Sequence, residues 1–270
     1  MSIATDDAMT NIVTVHYTYA TPTTSRGNTN ASYTVLSNII DGVYKNVMTH
    51  GKDAATKLRV DSAIGLNEFY TDRSGKEELV SAKRNEGGFI HVADALNEDE
   101  KKRNTFKCDM LITNCTRIEA DEEKNAPEKV VVKGAIFDFR KSLLPVEFTA
   151  LNAGAMDYFE GLEASPSNPT FTTVWGRQLS QVITKTITEE SAFGEPSVRE
   201  VKSSRKDFVI TGAAVTPHIW DDESTMTAAE LTEAIAARET YLATVKQRQD
   251  EYKASKNAAV AAPAKSGFNF

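Results

Sequence analysis

Residues 129–150 read KVVVKGAIFDFRKSLLPVEFTA, and this stretch decides the fold. Its pattern predicts two β-strands joined by a tight polar turn at residues 139–142. Because side chains alternate along a strand, the first strand has two distinct faces. One face is apolar and typical of a core: Val130, Val132, Gly134 and Ile136. The other mixes lysines with aromatic side chains, a composition that single-stranded nucleic acid favours: Lys129, Val131, Lys133, Phe137 and Phe139.

The segments around this hairpin predict a barrel. Residues 105–119 alternate as a long strand, and 170–188 and 198–215 are also β-like. Residues 152–162 form a short helix that Asn152 caps. The order of strand, strand, strand, helix, strand, strand is that of an OB-fold. We therefore expect a mainly β protein with some α: a five-stranded OB-like antiparallel barrel with an N-terminal β-hairpin extension and a long C-terminal helix. The alternative is an antiparallel sandwich that carries one helix.

Flanking segments complete the predicted domain organisation. Residues 1–56 form an N-terminal arm, with a short β-like run at 12–19 and an amphipathic helix at 35–48. The OB-like domain spans 57–219, with its core at 105–215 and a hairpin extension at 57–92. A capping box at Thr227 and Glu230 begins a long amphipathic helix within 220–256. Residues 257–270 are rich in small residues and predict a flexible tail.

Composition restricts the function. The 270 residues are 40% hydrophobic and 26% charged, as in a globular protein, and the formal net charge is −7. Any binding of nucleic acid must therefore use a local patch, since the whole molecule repels phosphate. No secretion signal and no run of about 18 apolar residues is visible, so we expect a cytoplasmic protein without a membrane partner. The two cysteines, Cys108 and Cys115, are too far apart along one strand to pair.

The sequence contains no motif that favours catalysis. The four histidines are scattered, and neither a metal-binding spacing nor a phosphate-binding loop is present. Asp221, Asp222 and Glu223 are more typical of a solvated turn than of a cation site. Cys108 is more typical of a small core residue than of a nucleophile. We therefore expect a non-enzymatic protein without a cofactor, a metal or catalytic residues.

Binding of single-stranded nucleic acid has a better physical basis. Bases stack on aromatic side chains while nearby cations contact the phosphates. Each candidate also has a structural reading: Phe137 and Phe139 as a second small core, Trp175 as buried packing, the charges at 199–206 as a solvated edge. Acidic loops at 120–128 and 189–197 argue against the site. The candidate residues are Phe69, Tyr70, Arg73, Lys76, Lys83, Arg84, Lys133, Phe137, Phe139, Arg140, Lys141, Trp175, Arg177, Lys202 and Arg205.

Four runs carry a resemblance to a known class of proteins: 132–139 (VKGAIFDF), 144–148 (LPVEF), 171–176 (FTTVWG) and 190–195 (ESAFGE). They resemble OB-fold single-stranded DNA-binding proteins from the replication and recombination modules of tailed bacteriophages, over residues 57–255. The resemblance implies a protein that coats or guards single strands in the host cytoplasm. It also implies that replication or recombination proteins are recruited through the C-terminal tail. The tail ends in Phe270, but residues 259–270 contain no Asp or Glu.

A second hypothesis belongs to a different class. The predicted helix carries an apolar stripe that includes Tyr241, Leu242, Val245 and Tyr252. It could assemble a homo-oligomer or bind a protein partner, which would make the chain a structural or interaction module. The alternative is that the helix docks back on its own barrel. A third option, an acidic mimic of DNA, is not favoured because a charge of −7 over 270 residues is mild.

Overall fold

The computed structural model describes residues 1–73, 75–121, 126–189, 193, 197–219, 221–223 and 225–261. Within these ranges only the backbone is described at 181–185, 187–189, 197, 199, 201–205 and 257–261. In chain order the elements are β1 (Ser2–Ala4), β2 (Ile12–His16), α1 (Ala31–Ile40), α2 (Val47–His50), β3 (Leu58–Thr71), β4 (Glu78–Val92), a 3₁₀ turn (Glu100–Lys102), β5 (Thr105–Ile118), β6 (Lys129–Phe137), β7 (Leu143–Ala150), α3 (Ala153–Gly161), β8 (Thr170–Glu189), β9 (Ser197–Ala213) and α4 (Ala228–Ala261).

Five strands close into a barrel in the order β5-β6-β7-β9-β8, and β8 returns to β5. The helix α3 lies between the third and fourth strands, so the predicted OB-like barrel is confirmed. The barrel is antiparallel except at one seam, where β7 and β9 run parallel. Beyond the barrel, β8 and β9 continue as a two-stranded arm, which pairs as far as Glu189↔Ser197. At about 3.4 Å per residue, the arm is roughly 40 Å long.

The barrel core follows from the alternation of the strands. Met110, Val132, Phe148 and Ile210 point inward and are fully buried. At one end of the barrel α3 closes this core with Met156 and Phe159, the stripe that its sequence predicts. Asn152 caps α3 by accepting a hydrogen bond from the Ala155 amide at 2.7 Å. At the opposite end, Phe106, Phe148 and Phe208 form an aromatic cluster with centroids 5.0–5.6 Å apart.

A second sheet, in the order β1-β2-β4-β3, packs at this aromatic end. The predicted hairpin extension is therefore joined by the N-terminal strands, because β2 pairs in parallel with β4 at Val15↔Asn85. Buried amides fix the two sheets together. The Asn11 side chain donates to the Gln178 carbonyl at 3.2 Å, and Asn85 donates to Gln178 Oε1 at 2.9 Å. Residues 1–16 are thus part of the sheet and not a loosely held arm.

The seam between β7 and β9 is open along most of its length. In the described part of the chain these strands pair only at Thr149↔Val209 and Ala150↔Ile210. Lys83 of β4 enters this opening, with its Nζ 5.9 Å from the Phe148 ring and 5.7 Å from the Phe208 ring. The ammonium donates to the Glu147 carbonyl. Burial lowers the pKa of Lys83, although Glu147 and Asp207 partly oppose this effect.

The helix α4 docks along β3, the edge strand of the N-terminal sheet. Arg238 Nη2 lies 2.5 Å from Glu68 Oε1, and the Glu68 side chain is only 1% exposed. The Gln249 amide accepts from the Tyr70 amide at 2.8 Å and donates to the Tyr70 carbonyl. Lys246 pairs with Glu77 at 2.6 Å. These contacts show that one face of the helix braces its own chain, and they shield a sheet edge that would otherwise be free to pair.

Two helix predictions need correction. The predicted helix at 35–48 is really α1 and the short α2. Asn30 caps α1, which ends before Gly42, whose φ of 72° is left-handed and breaks the helix. The helix α4 continues to Ala261, so residues 257–261 are helical and are not tail. Ala is the best helix former, and three of these five residues are Ala. Residues 262–270 lie outside the described residues. None of the described helices is long and apolar enough to cross a membrane.

Candidate nucleic-acid interface

Three exposed side chains lie on neighbouring parts of the barrel surface: Trp175, Lys107 and Phe139. Lys107 of β5 is directly opposite Trp175 of β8. On the other side, the pairing of β5 with β6 begins at Met110↔Ile136, and Phe139 lies three residues beyond Ile136, in the turn that follows β6. Phe139 and Lys107 also line the same cleft. We call these three residues the barrel row.

Phe139 occupies the turn between β6 and β7 and is 89% exposed. The Asp138 carboxylate fixes this turn by accepting from the backbone amides of Arg140 and Ser142, both at 2.8 Å. The Arg140 guanidinium lies 5.1 Å from the Phe139 centroid, within the range of a cation–π contact. Lys141 turns the other way and pairs with Glu230 of α4. The tip of the turn therefore presents an aromatic ring together with one cation.

At the other end of the row, Trp175 is 40% exposed and lies against the β9 backbone at Gly212. A Cβ at Gly212 would lie 2.4 Å from the indole Nε1, so only glycine fits beneath this ring. Arg177 is opposite Thr105, two residues further along the same face of β8. In the described part of the chain, Lys107 has neither an ion pair nor a hydrogen bond through its side chain. The row therefore combines two aromatic side chains with uncommitted positive charge.

The described part of the connection between β9 and α4, residues 214–219, 221–223 and 225–227, covers the neighbouring part of the barrel face. We call it the strap. The His218 amide donates to the Phe171 carbonyl at 2.7 Å, and His218 Nε2 lies 3.2 Å from Asp109 Oδ1. Met226 is buried against Phe171 and Leu111, two rows along the strands from Lys107 and Trp175. The barrel row is the part of this face that the strap leaves open.

The strap separates the residues that the sequence places on one groove floor. Phe137 packs against the small core of Leu111, Phe171 and Met226. It therefore contributes to packing, as the alternative interpretation predicts, and is not an open stacking position. Lys133 is exposed but pairs with Glu147 on the adjacent strand at 2.9 Å. At about 3.3 Å per residue, it is roughly 20 Å from Phe139 along the strand direction. Of these three residues, only Phe139 belongs to the barrel row.

The candidates on the N-terminal hairpin lie elsewhere. Tyr70 is held by Gln249 and by Lys246, whose Nζ is 5.7 Å from its ring. Phe69 is exposed on the opposite face of β3, while Arg73 and Lys76 are exposed near the hairpin turn. Lys83 lies in the barrel seam, and Arg84 pairs with Glu86 at 2.5 Å. The backbones of Lys202 and Arg205 pair with Thr184 and Gln181 on the β8–β9 arm, but their side chains lie outside the described residues.

Trp175, Arg177, Phe139 and Arg140 are thus the predicted residues that the structure brings near Lys107. Lys107 is the residue that the sequence analysis missed. Its position on the polar face of an alternating strand was visible, and so was the Trp175–Arg177 pair. The position of Lys107 opposite Trp175 depends on the register between β5 and β8. These two strands are about 70 residues apart in the chain.

The two cysteines fit a structural role. Burial raises the pKa of Cys108 to about 12 and that of Cys115 to about 11, so both remain protonated thiols near neutral pH. Both pack against the barrel core. Among the described residues, no group of three or more His, Cys, Asp or Glu side chains is arranged to hold a metal ion.

The fold and the surface together define an OB-barrel protein with an N-terminal sheet, a C-terminal bracing helix and an open aromatic and basic row. A comparison with protein-family models matches residues 3–248 to the YorF family, and the chain belongs to this family. The matched range includes both sheets and most of α4. Searches of curated proteins and of solved structures found no match.

Proposed function

We propose that this protein binds single-stranded DNA and catalyses no reaction on it. The observation that carries the proposal is the barrel row, in which Lys107 lies opposite Trp175 in the OB barrel and lines one cleft with the exposed Phe139. OB-folds commonly bind oligonucleotides on their sheet. An aromatic side chain stacks on a base of any sequence, and the cation between two rings contacts the phosphate that links neighbouring nucleotides.

The local charge agrees with this proposal better than the overall charge does. Lys107 and Arg177 lie on one face with Trp175, and Arg140 lies over Phe139. The nearest acidic side chain on the same strand, Asp109, is 3.2 Å from His218 and accepts a hydrogen bond from Thr173. The net charge of −7 belongs to the whole chain. We therefore expect specific contacts to single strands and weak attraction at long range.

The biological setting rests on the sequence resemblance. Residues 57–255 resemble phage single-stranded DNA-binding proteins, so we place the function in phage DNA replication or recombination, in the host cytoplasm. Replication or recombination proteins would be the partners. This part of the proposal is tested by a pull-down of such proteins from infected cells, with nuclease present. Binding to DNA is tested by a separate assay.

Fluorescence anisotropy tests the binding proposal. We expect saturable binding to a labelled oligo-dT of about 16 nucleotides. The affinity should fall steeply between about 50 and 200 mM salt, because phosphate contacts release counterions. Oligo-rU and duplex DNA are the comparators for preference. The negative control is the triple variant in which Phe139, Lys107 and Trp175 are each replaced by Ala. Absence of binding by the unchanged protein at about 50 mM salt would contradict the proposal.

A second candidate function is assembly through α4. Its inner face is occupied by contacts with β3, but Ile235 and Tyr252 remain 45% and 66% exposed. These two residues lie about 100° apart around the helix and roughly 25 Å apart along it, and both are open to a second copy or a partner. Light scattering on the unchanged protein and on the double variant Ile235→Glu, Tyr252→Glu tests this function. Assembly predicts a decrease in mass for the variant, whereas equal monomer masses would exclude a homo-oligomer through this face.

A further inference from the structure

A cleft of about 890 Å³ separates the N-terminal sheet from the aromatic end of the barrel. Leu58–Ile64 of β3 form one wall. Thr105–Cys108 of β5 and the end of β6 form the other wall, and the segment before β5 closes one side. Phe139 and Lys107 belong both to this cleft and to the barrel row. The cleft is therefore a direct continuation of the row.

Cations stand on separate walls of the cleft. Arg59 comes from β3, Lys102 from the 3₁₀ turn and Lys107 from β5. Arg59 lies 3.3 Å from Asp61 and Lys102 lies 3.8 Å from Asp99, and all four side chains are largely exposed. Exposed ion pairs of this kind are weak, so they exchange readily for a phosphate. Three cations from three elements line the cleft, and charge that is spread in this way suits a chain of phosphates better than a single anion.

The acidic residues of the cleft, Asp61 and Asp138, offset only part of this charge. Asp61 is shared with Arg59. Asp138 is committed to its turn, where it accepts from the amides of Arg140 and Ser142. A fourth cation, Arg103, is 11% exposed in its side chain and is bound to Asp7, so it holds the loop and is not offered to a ligand.

We infer that the single strand continues from the barrel row into this cleft, where Arg59 and Lys102 bind its phosphates. The inference rests on the proposed function and extends it to a second, longer subsite. It makes the N-terminal sheet part of the binding surface. A short oligonucleotide would occupy the row alone, and a longer one would reach both subsites. Since OB barrels contact about 4–16 nucleotides, both lengths lie within one binding site.

Anisotropy with labelled dT of about 4 and about 16 nucleotides tests this inference. We expect the double variant Arg59→Ala, Lys102→Ala to bind the short oligonucleotide as the unchanged protein does. Its affinity for the long one should fall about tenfold, and the slope of log affinity against log salt should decrease by about 1.4, or 0.7 for each phosphate contact. The matched control is Arg26→Ala, Lys101→Ala, which removes the same charge from exposed residues outside the cleft.

The outcomes separate the two proposals. Equal losses for both lengths, an unchanged affinity for the long oligonucleotide, or the same loss in the control would each overturn the cleft subsite and leave the barrel row intact. Failure of the unchanged protein to bind either length would overturn the proposed function and the inference together.

Discussion

Lys107 lies directly opposite Trp175 across the antiparallel pair of β5 and β8. The two residues are 68 positions apart in the chain, and only closure of the barrel brings them together. The indole lies against the backbone at Gly212, and the Lys107 ammonium has no partner among the described residues. An aromatic platform beside a free cation is what a nucleotide of a single strand requires.

Substitution of Trp175 by Ala should weaken binding to oligo-dT by about 5- to 150-fold, the equivalent of the 1–3 kcal/mol that one stacked base contributes. Substitution by Phe keeps an aromatic face and should retain most of the affinity. Anisotropy titrations measure both variants, with circular dichroism to show that the barrel is folded. Equal affinity of the Ala and Phe variants would remove Trp175 from the site.

Substitution of Lys107 by Ala should reduce the slope of log affinity against log salt by about 0.7, because one phosphate contact is lost. The loss should be similar for different base sequences, since a phosphate contact carries no sequence information. Salt titrations measure the slope. Lys101→Ala is the control, and a slope that changes equally in both variants would contradict a specific role for Lys107.

Lys83 should affect stability and not binding. Burial lowers its folded-state pKa below the ordinary lysine value of 10.5. Between the lowered pKa and 10.5 the unfolded state binds more protons, so this residue makes the free energy of unfolding rise with pH in that window. Lys83→Met removes the titrating ammonium group. Toward alkaline pH, the free energy of unfolding of the unchanged protein should therefore rise relative to that of the variant.

Urea unfolding at a series of pH values measures this difference. Lys133→Met, which removes a lysine from an exposed position of the barrel, is the control. The affinity of Lys83→Met for oligo-dT should be unchanged, because Lys83 lies in the seam between β7 and β9. If the curves of free energy against pH were parallel for Lys83→Met and the unchanged protein, the Lys83 ammonium would not be buried in solution.

Substitution of Arg238 by Ala should destabilise the protein by about 3–5 kcal/mol, because it leaves the buried Glu68 carboxylate without its partner. The combined change Arg238→Ala, Glu68→Gln should recover part of this loss, since the carboxylate is then gone. Urea unfolding measures both, and hydrogen exchange reports whether α4 has detached. The Lys246→Ala variant loses an exposed ion pair with Glu77 and should lose much less. A loss for Arg238→Ala no larger than that of this control would refute the bracing role.

The strands of the barrel and the place of α3 could be predicted from the sequence because alternation and capping are local. The contacts that depend on distant segments could not. Phe137 has the same strand pattern as a stacking residue, but Met226, which follows it by almost ninety residues, covers it. Lys83 is one of several lysines on a hairpin, and only the open parallel seam of β7 and β9 explains its burial. The pairing of β2 with β4 was equally hidden, since two residue pairs define it.

The most direct test of the central claim is the fluorescence of Trp175 during binding. The chain has two tryptophans, so Trp220→Phe leaves Trp175 as the single indole. Oligo-dT labelled for anisotropy would report binding in the same titration. We predict that Trp175 emission is quenched in parallel with binding and recovers as salt releases the strand. Binding with unchanged Trp175 emission, or no binding at low salt, would contradict the account.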